Sequence, residues 1–121
     1  MDAESFETLV LEALDRLPLE FARHLENLEI QIEPRPTHQH RQLVRIAPGH
    51  TLYGLYQGVP LTERVGGDPM LPDLITIFQE PLERDFPHPD MLRAQVRRTI
   101  LHEIAHFFGI SDQRLRELDA Y

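Results

Sequence analysis

The sequence predicts an α+β fold, because its helical and strand patterns are grouped along the chain instead of alternating. Two helical patterns come first, about three strand patterns follow, and a long helical pattern lies near the C-terminus. A fold of repeated βαβ units would instead show strand and helix patterns that alternate along the chain. At 121 residues the chain has the usual length of one domain, so we expect a single domain over residues 1–121, with one small mixed sheet.

Composition narrows the class of protein. No apolar run approaches the roughly 18 residues of a membrane span, and the N-terminus is acidic and lacks a basic leader, so we expect a soluble, cytoplasmic protein. The absence of cysteine excludes disulfides, thiolate metal sites and cysteine nucleophiles. A net charge of −8, from 20 acidic and 12 basic residues, disfavours nucleic acid as a partner.

The first two elements are expected to be helices. Residues 5–17 place apolar side chains on one helical face, at Phe6, Leu9, Val10, Ala13, Leu14 and Leu17. Pro18 ends this pattern, and because proline is favoured in a first helical turn, residues 18–27 predict a second, short helix. LEIQIE at 28–33 then alternates apolar and polar side chains, which is typical of a half-buried strand.

The middle of the chain combines two strand patterns with two loops. Residues 34–50 are rich in proline, histidine and arginine and lack periodicity, so they predict an exposed loop. TLYGLYQGVPL at 51–61 is broken by Gly54, Gly58 and Pro60, which favours an edge strand or an irregular one. DLITIFQE at 73–80 predicts the buried strand of the sheet, and PLERDFPHP at 81–89 predicts a second loop.

A long helix is predicted from Asp90, its N-cap, to Gly109, its C-cap, with a short terminal helix over 111–121. His102 and His106 lie about 40° apart around this helix. The broad opposite side carries the apolar residues Leu92, Val96, Ile100, Leu101, Ile104, Phe107 and Phe108. The helix therefore has a buried side and a side that is available for chemistry.

The spacing of the polar residues suggests a metal site. Side chains four apart share a helix face, so His102 and His106 can present two imidazole nitrogens to one ion. Glu103 lies about 100° from His102 around the helix, which places it beside the ion as a general base. A left-handed Gly109 would let Asp112 return as an oxygen ligand and complete an open catalytic zinc site. HExxH also occurs by chance in helices, and Asp112 alternatively caps the last helix.

HEIAHFFGISD at 102–112 resembles the HExxHxxGxxH/D signature of zincin metallopeptidases. Together with YGLYQGVPLTER at 53–64 and LPDLITIFQEPLE at 71–83, it makes the chain similar to the small bacterial zincin-like metallopeptidase family. The resemblance implies a minimal zincin-like fold and a Zn²⁺ ion. It assigns the ion to His102, His106 and Asp112, and general acid and base catalysis to Glu103.

The resemblance also implies that an edge strand binds an extended peptide by strand addition, and we favour TLYGLYQ for that strand. The nine residues after Asp112 contain no methionine, so we do not expect the methionine turn of the metzincin branch. We expect hydrolysis of a peptide or protein substrate by a zinc-activated water. Candidate donors to the oxyanion are Tyr53, Tyr56, Arg64 and Tyr121, each of which also has a structural explanation.

Two other functions remain open. The first is a metal-binding, peptide-binding domain without useful turnover. The second is a metal-dependent endoribonuclease, because one such family has a His-x3-His-x5-His triad with the spacing of 102, 106 and 112; Glu103 and the acidic charge favour peptide hydrolysis instead. His38 and His40 are better explained by a solvated loop than by a second metal site.

Overall fold

The computed structural model describes residues 1–17, 19–22, 28–44, 52–58 and 73–109. Its elements are α1 (Ala3–Asp15), α2 (Leu19–Ala22), β1 (Leu28–Glu33), α3 (His38–Val44), β2 (Gly54–Gln57), β3 (Asp73–Phe78), α4 (Gln79–Asp85) and α5 (Pro89–Phe107). This is the predicted α+β layout with a small mixed sheet. The predicted terminal helix over 111–121 lies outside the described residues. None of the described helices combines the length and apolarity that a membrane span requires.

Strand β3 is the centre of a three-stranded sheet with the order β1-β3-β2. It pairs in parallel with β1, where Ile30 is opposite Ile75, and antiparallel with β2, where Gly54 is opposite Ile77. Among the described strands β2 is therefore at an edge, as its glycines predicted. Both Ile75 and Ile77 are completely buried, which agrees with the prediction that this segment is the buried strand.

Helices α1 and α5 supply most of the remaining core. Phe6 of α1 and Ile100 of α5 are both 0% exposed, and they belong to one apolar cluster with β3. The cluster follows the predicted apolar faces, because it contains Phe6, Leu9, Val10, Ala13, Ile75, Ile77, Leu82, Leu92, Val96, Ile100 and Ile104. Packing of these faces fixes α5 against the sheet, and the two histidines of α5 remain half-buried.

The prediction of a loop over 34–50 is wrong for residues 38–44, which form helix α3, whereas residues 45–50 lie outside the described residues. The amide of Thr37 donates to Nδ1 of His40 at 3.0 Å, and the amide of His40 donates to Oγ1 of Thr37 at 3.2 Å. This reciprocal arrangement has the geometry of a capping box, with histidine in the place usually taken by glutamate. The His40 ring also packs 5.1 Å from the Phe78 ring, so its role here is structural.

The loop predicted over 81–89 is also wrong in part, because it overlaps helix α4. Pro81 is the third residue of this helix, where its missing N–H has no helical acceptor to lose. Asp90 is not the N-cap of the next helix: α5 begins one residue earlier, at Pro89, and its N-cap is His88. Proline is favoured at a first helical position because its φ is already helical.

Candidate metal centre

The metal-binding motif occupies the last turns of α5, whose end is defined by a glycine. The amide of Gly109 donates to the carbonyl oxygen of His106 at 2.9 Å, and Gly109 has a φ of 78°. This left-handed conformation is accessible to glycine at little cost. The predicted left-handed glycine at the helix end is confirmed, but the C-cap itself is Phe108, one residue before Gly109. The motif stays within the regular helix.

His102, Glu103 and His106 come together at one point on the surface of α5. Each offers one ligand atom, and these atoms lie within 4.8 Å of one another. The two imidazole rings have centroids 4.5 Å apart, and Nδ1 of His106 is 3.3 Å from Oε1 of Glu103. In the described part of the chain this is the single group of three or more potential ligands that is close enough for one ion.

The donor set fits a divalent metal ion. Two imidazoles and a carboxylate are nitrogen and oxygen donors of the kind that zinc prefers in a protein without cysteine. Two ligands of one tetrahedral ion lie ~3.4 Å apart at the usual ligand distance of about 2.1 Å. The potential ligand atoms lie within 4.8 Å of one another, which is of the order of this separation. His102, Glu103 and His106 could hold a metal, either with all three as ligands or with the two histidines as ligands and Glu103 beside the ion.

Glu103 differs from the two histidines in its surroundings. Its side chain is 9% exposed, whereas that of His106 is 34% exposed. Burying a carboxylate costs free energy unless it has a charged or hydrogen-bonding partner. The ring of His106 is one such partner of the Glu103 carboxylate. The carboxylate is thus held at the boundary between the core and the half-buried histidine pair.

The edge strand β2 passes directly over Glu103. A Cβ atom placed on Gly54 would lie 2.8 Å from Cγ2 of Thr99 and 3.3 Å from Cγ of Glu103. Thr99 is one helical turn before Glu103 and is 6% exposed. Neither Gly54 nor Thr99 was a candidate from the sequence. The four-residue spacing of Thr99 and Glu103 was visible there. The family resemblance implied that a strand, within 52–58 or at 74–79, lies next to this helix, but not that Gly54 is the residue that meets Glu103.

The hydrogen bonds between β2 and β3 show which backbone groups of β2 face β3 and which face away from it. The amide of Phe78 in β3 donates to the carbonyl oxygen of Tyr53 at 2.9 Å. In an antiparallel pair, bonded and non-bonded residues alternate, so Tyr53 and Leu55 face β3 with their backbone groups. Gly54 and Tyr56 direct theirs away from β3. Of these two, Gly54 is buried and Tyr56 is half-buried.

Two of the four candidate oxyanion donors are described, and both hydroxyls bind carboxylates. Tyr53 donates to Asp85 at 2.6 Å, and Tyr56 donates to the buried Asp73 at 3.1 Å. Burial raises the pKa of Tyr53 to about 12, and the hydrogen bond to Asp85 and its negative charge add to this effect. These contacts explain both tyrosines structurally. The other two candidates, at 64 and 121, lie outside the described residues, as does Asp112.

The fold is thus an α+β domain whose long helix brings two HExxH histidines and a buried glutamate together, close to an edge strand, as a candidate metal centre. Residues 25–121 match the zincin-like metallopeptidase family, so the chain belongs to that family. No curated protein matches the chain. The matched region contains the sheet and α5, whereas α1 precedes it.

Proposed function

We propose that this protein is a zinc-dependent metallopeptidase, in which His102 and His106 hold the ion and Glu103 transfers protons. The observation that carries the proposal is the position of the Glu103 carboxylate, buried beside His106 and below the edge strand. Asp112 is proposed as the third ligand, on the basis of the HExxHxxGxxD pattern and membership of the family. The zinc ion, when bound, would polarise the substrate carbonyl and lower the pKa of water.

Glu103 is suited to the proton transfers that hydrolysis of a peptide bond requires. Its carboxylate would accept a proton as water attacks the carbonyl carbon of the substrate. The C–N bond then breaks, and Glu103 would return the proton to the leaving nitrogen, which departs as an amine. A glutamate that carries the proton from water to nitrogen ends the reaction in the state in which it began, ready for another turnover.

The substrate is proposed to bind as an extended peptide along β2. Such a peptide would pair with the outward backbone groups of the strand, beginning at the half-buried Tyr56. Gly54 of this strand lies against Glu103, and neighbouring strands are about 4.8 Å apart, so a peptide paired with β2 would lie close to the proposed proton-transferring group. Main-chain pairing recognises extended backbone instead of particular side chains, which fits a peptide or protein substrate.

The test combines metal analysis with peptide cleavage. Protein purified without added metal is analysed for zinc, and an unbiased peptide library is then searched for cleavage products by mass spectrometry. We expect about one zinc ion per chain in wild type and in Glu103→Gln. Cleavage should fall about a hundred-fold or more in Glu103→Gln, the range expected for loss of a general base.

Two further variants make the result specific. His106→Ala should lose stoichiometric zinc, because it removes one of the proposed ligands. Glu80→Gln makes the same chemical change at an exposed glutamate that pairs with Arg35, so zinc content and cleavage should stay at the wild-type level. Zinc binding without Glu103-dependent cleavage would contradict the peptidase and favour a peptide-binding domain. Zinc content unchanged in His106→Ala would contradict the site itself.

A further inference from the structure

We infer that Gly54 is a positioning residue for Glu103. Because glycine has no side chain, Gly54 leaves a space between β2 and α5, here called the notch, in which Glu103 packs against β2. The inference rests on the proposed function for its catalytic meaning, since it explains how the proton-transferring group is oriented. It assigns a role to a strand residue that is far from the HExxH motif in the sequence.

The notch is defined by two side chains of α5. A Cβ on Gly54 would approach Cγ2 of Thr99 to 2.8 Å and Cγ of Glu103 to 3.3 Å. The first distance is shorter than real Cβ contacts, and the second requires the glutamate to move by a few tenths of an ångström. Both α5 residues are buried, at 6% and 7% exposure, so neither can simply rotate into open solvent.

Space, and not backbone conformation, is what demands glycine here. Gly58 and Gly109 have positive φ values, and Gly54 is not among the described glycines that do. An alanine at 54 would therefore adopt the strand conformation without strain, and its methyl group would collide with α5. Glycine is therefore required because β2 and α5 lie so close together at this residue.

This closeness restricts the orientation of the Glu103 carboxylate. A glutamate side chain has three rotatable bonds, and packing at Cγ limits the first of them, while the contact of the carboxylate with His106 limits the others. The carboxylate is one bond beyond Cγ, with Oε1 at 3.3 Å from Nδ1 of His106. A proton-transferring group must be held close to its productive position, and an error of about 1 Å can cost roughly a hundred-fold in rate. The backbone of β2 therefore serves as the fixed surface that orients this carboxylate.

The test adds a methyl group at Gly54 and then, in a second variant, removes the methyl group of Thr99 that it would contact. Gly54→Ala should lower kcat at least about tenfold while KM and zinc content change less than about threefold. Adding Thr99→Ser removes the Cγ2 methyl group and keeps the hydroxyl, so the double variant should regain kcat to within about threefold of wild type. Ala13→Val overpacks the core from α1 without touching β2, and its kcat should match wild type at a temperature where all variants are folded.

NMR spectroscopy supplies a measurement that does not depend on turnover. The wild-type protein should show a nuclear Overhauser effect between the Thr99 methyl group and the Gly54 Hα protons. The Glu103 γ-proton shifts should move in Gly54→Ala and return in the double variant. If wild type cleaves no peptide but these signals behave as expected, the peptidase fails and the notch stands. Full kcat in Gly54→Ala, no rescue by Thr99→Ser, or no such effect in wild type would overturn the inference.

Discussion

Helix α1 precedes the region that matches the family, yet the structure makes it part of the core, and this can be tested at Phe6. Phe6 is 0% exposed and belongs to the same apolar cluster as Ile100 and Ile104 of α5. Phe6→Ala removes a fully buried ring, for which the expected loss is about 3–5 kcal/mol of unfolding free energy. Since domains of this size have about 5–15 kcal/mol in total, the change is a large fraction of stability.

The expected shift in melting temperature follows from the length of the chain. An unfolding entropy of roughly 2.1 cal/mol/K per residue gives ~0.25 kcal/mol/K for 121 residues. A loss of about 4 kcal/mol therefore lowers Tm by about 16 °C, which calorimetry measures directly. The comparison variant is Leu11→Ala on the same helix, where the side chain is 53% exposed and the loss should stay below about 1 kcal/mol.

The result that would refute this reasoning is a small effect at Phe6. A Tm change under about 4 °C would mean that α1 contributes little more than 1 kcal/mol and is not packed on α5 as the structure has it. Two separate unfolding transitions would mean that α1 and the sheet are independent units. A single transition at reduced temperature is the expected outcome, because one cluster joins α1, β3 and α5.

Three smaller perturbations test other local features. Tyr53→Phe removes the hydrogen bond to Asp85. Because the pKa of Tyr53 is raised from 10 to about 12, the contribution of this bond to folding stability is present below pH 10 and is lost as pH rises to 12. Urea titrations should therefore show that wild type loses about 1 kcal/mol more unfolding free energy than the variant between pH 10 and 12. Gly109→Ala should cost about 1–2 kcal/mol in the same titrations, since φ is 78°, and a loss under about 0.3 kcal/mol would contradict that conformation. Thr37→Ala should cost about 1 kcal/mol through the capping bond to His40, and equal stability of Thr37→Ala and Thr37→Ser would contradict the cap.

The parts of the fold that could be predicted are those that follow from the local spacing of apolar and polar residues. Helix α5, strand β3 and the His102, Glu103 and His106 cluster follow from spacing alone, because helix and strand geometry determine which side chains share a face. Helix α3 could not be predicted in this way, since its start depends on a histidine in a capping role that propensity assigns to glutamate or glutamine. The contact of Gly54 with Glu103 depends on tertiary packing, for which local pattern gives no signal.

The two sides of α5 explain why a small domain can hold a reactive group in place. Ile100 and Ile104 are 0% and 1% exposed and anchor the helix, while His102 and His106 point to the half-buried side. Glu103 lies between these sides, and so it is the residue whose position depends on both the core and the strand above it. A carboxylate on the isoleucine side would be enclosed by the core, and one on the histidine side would be less buried than Glu103. The boundary is therefore where packing could orient the proposed proton-transferring group without enclosing it.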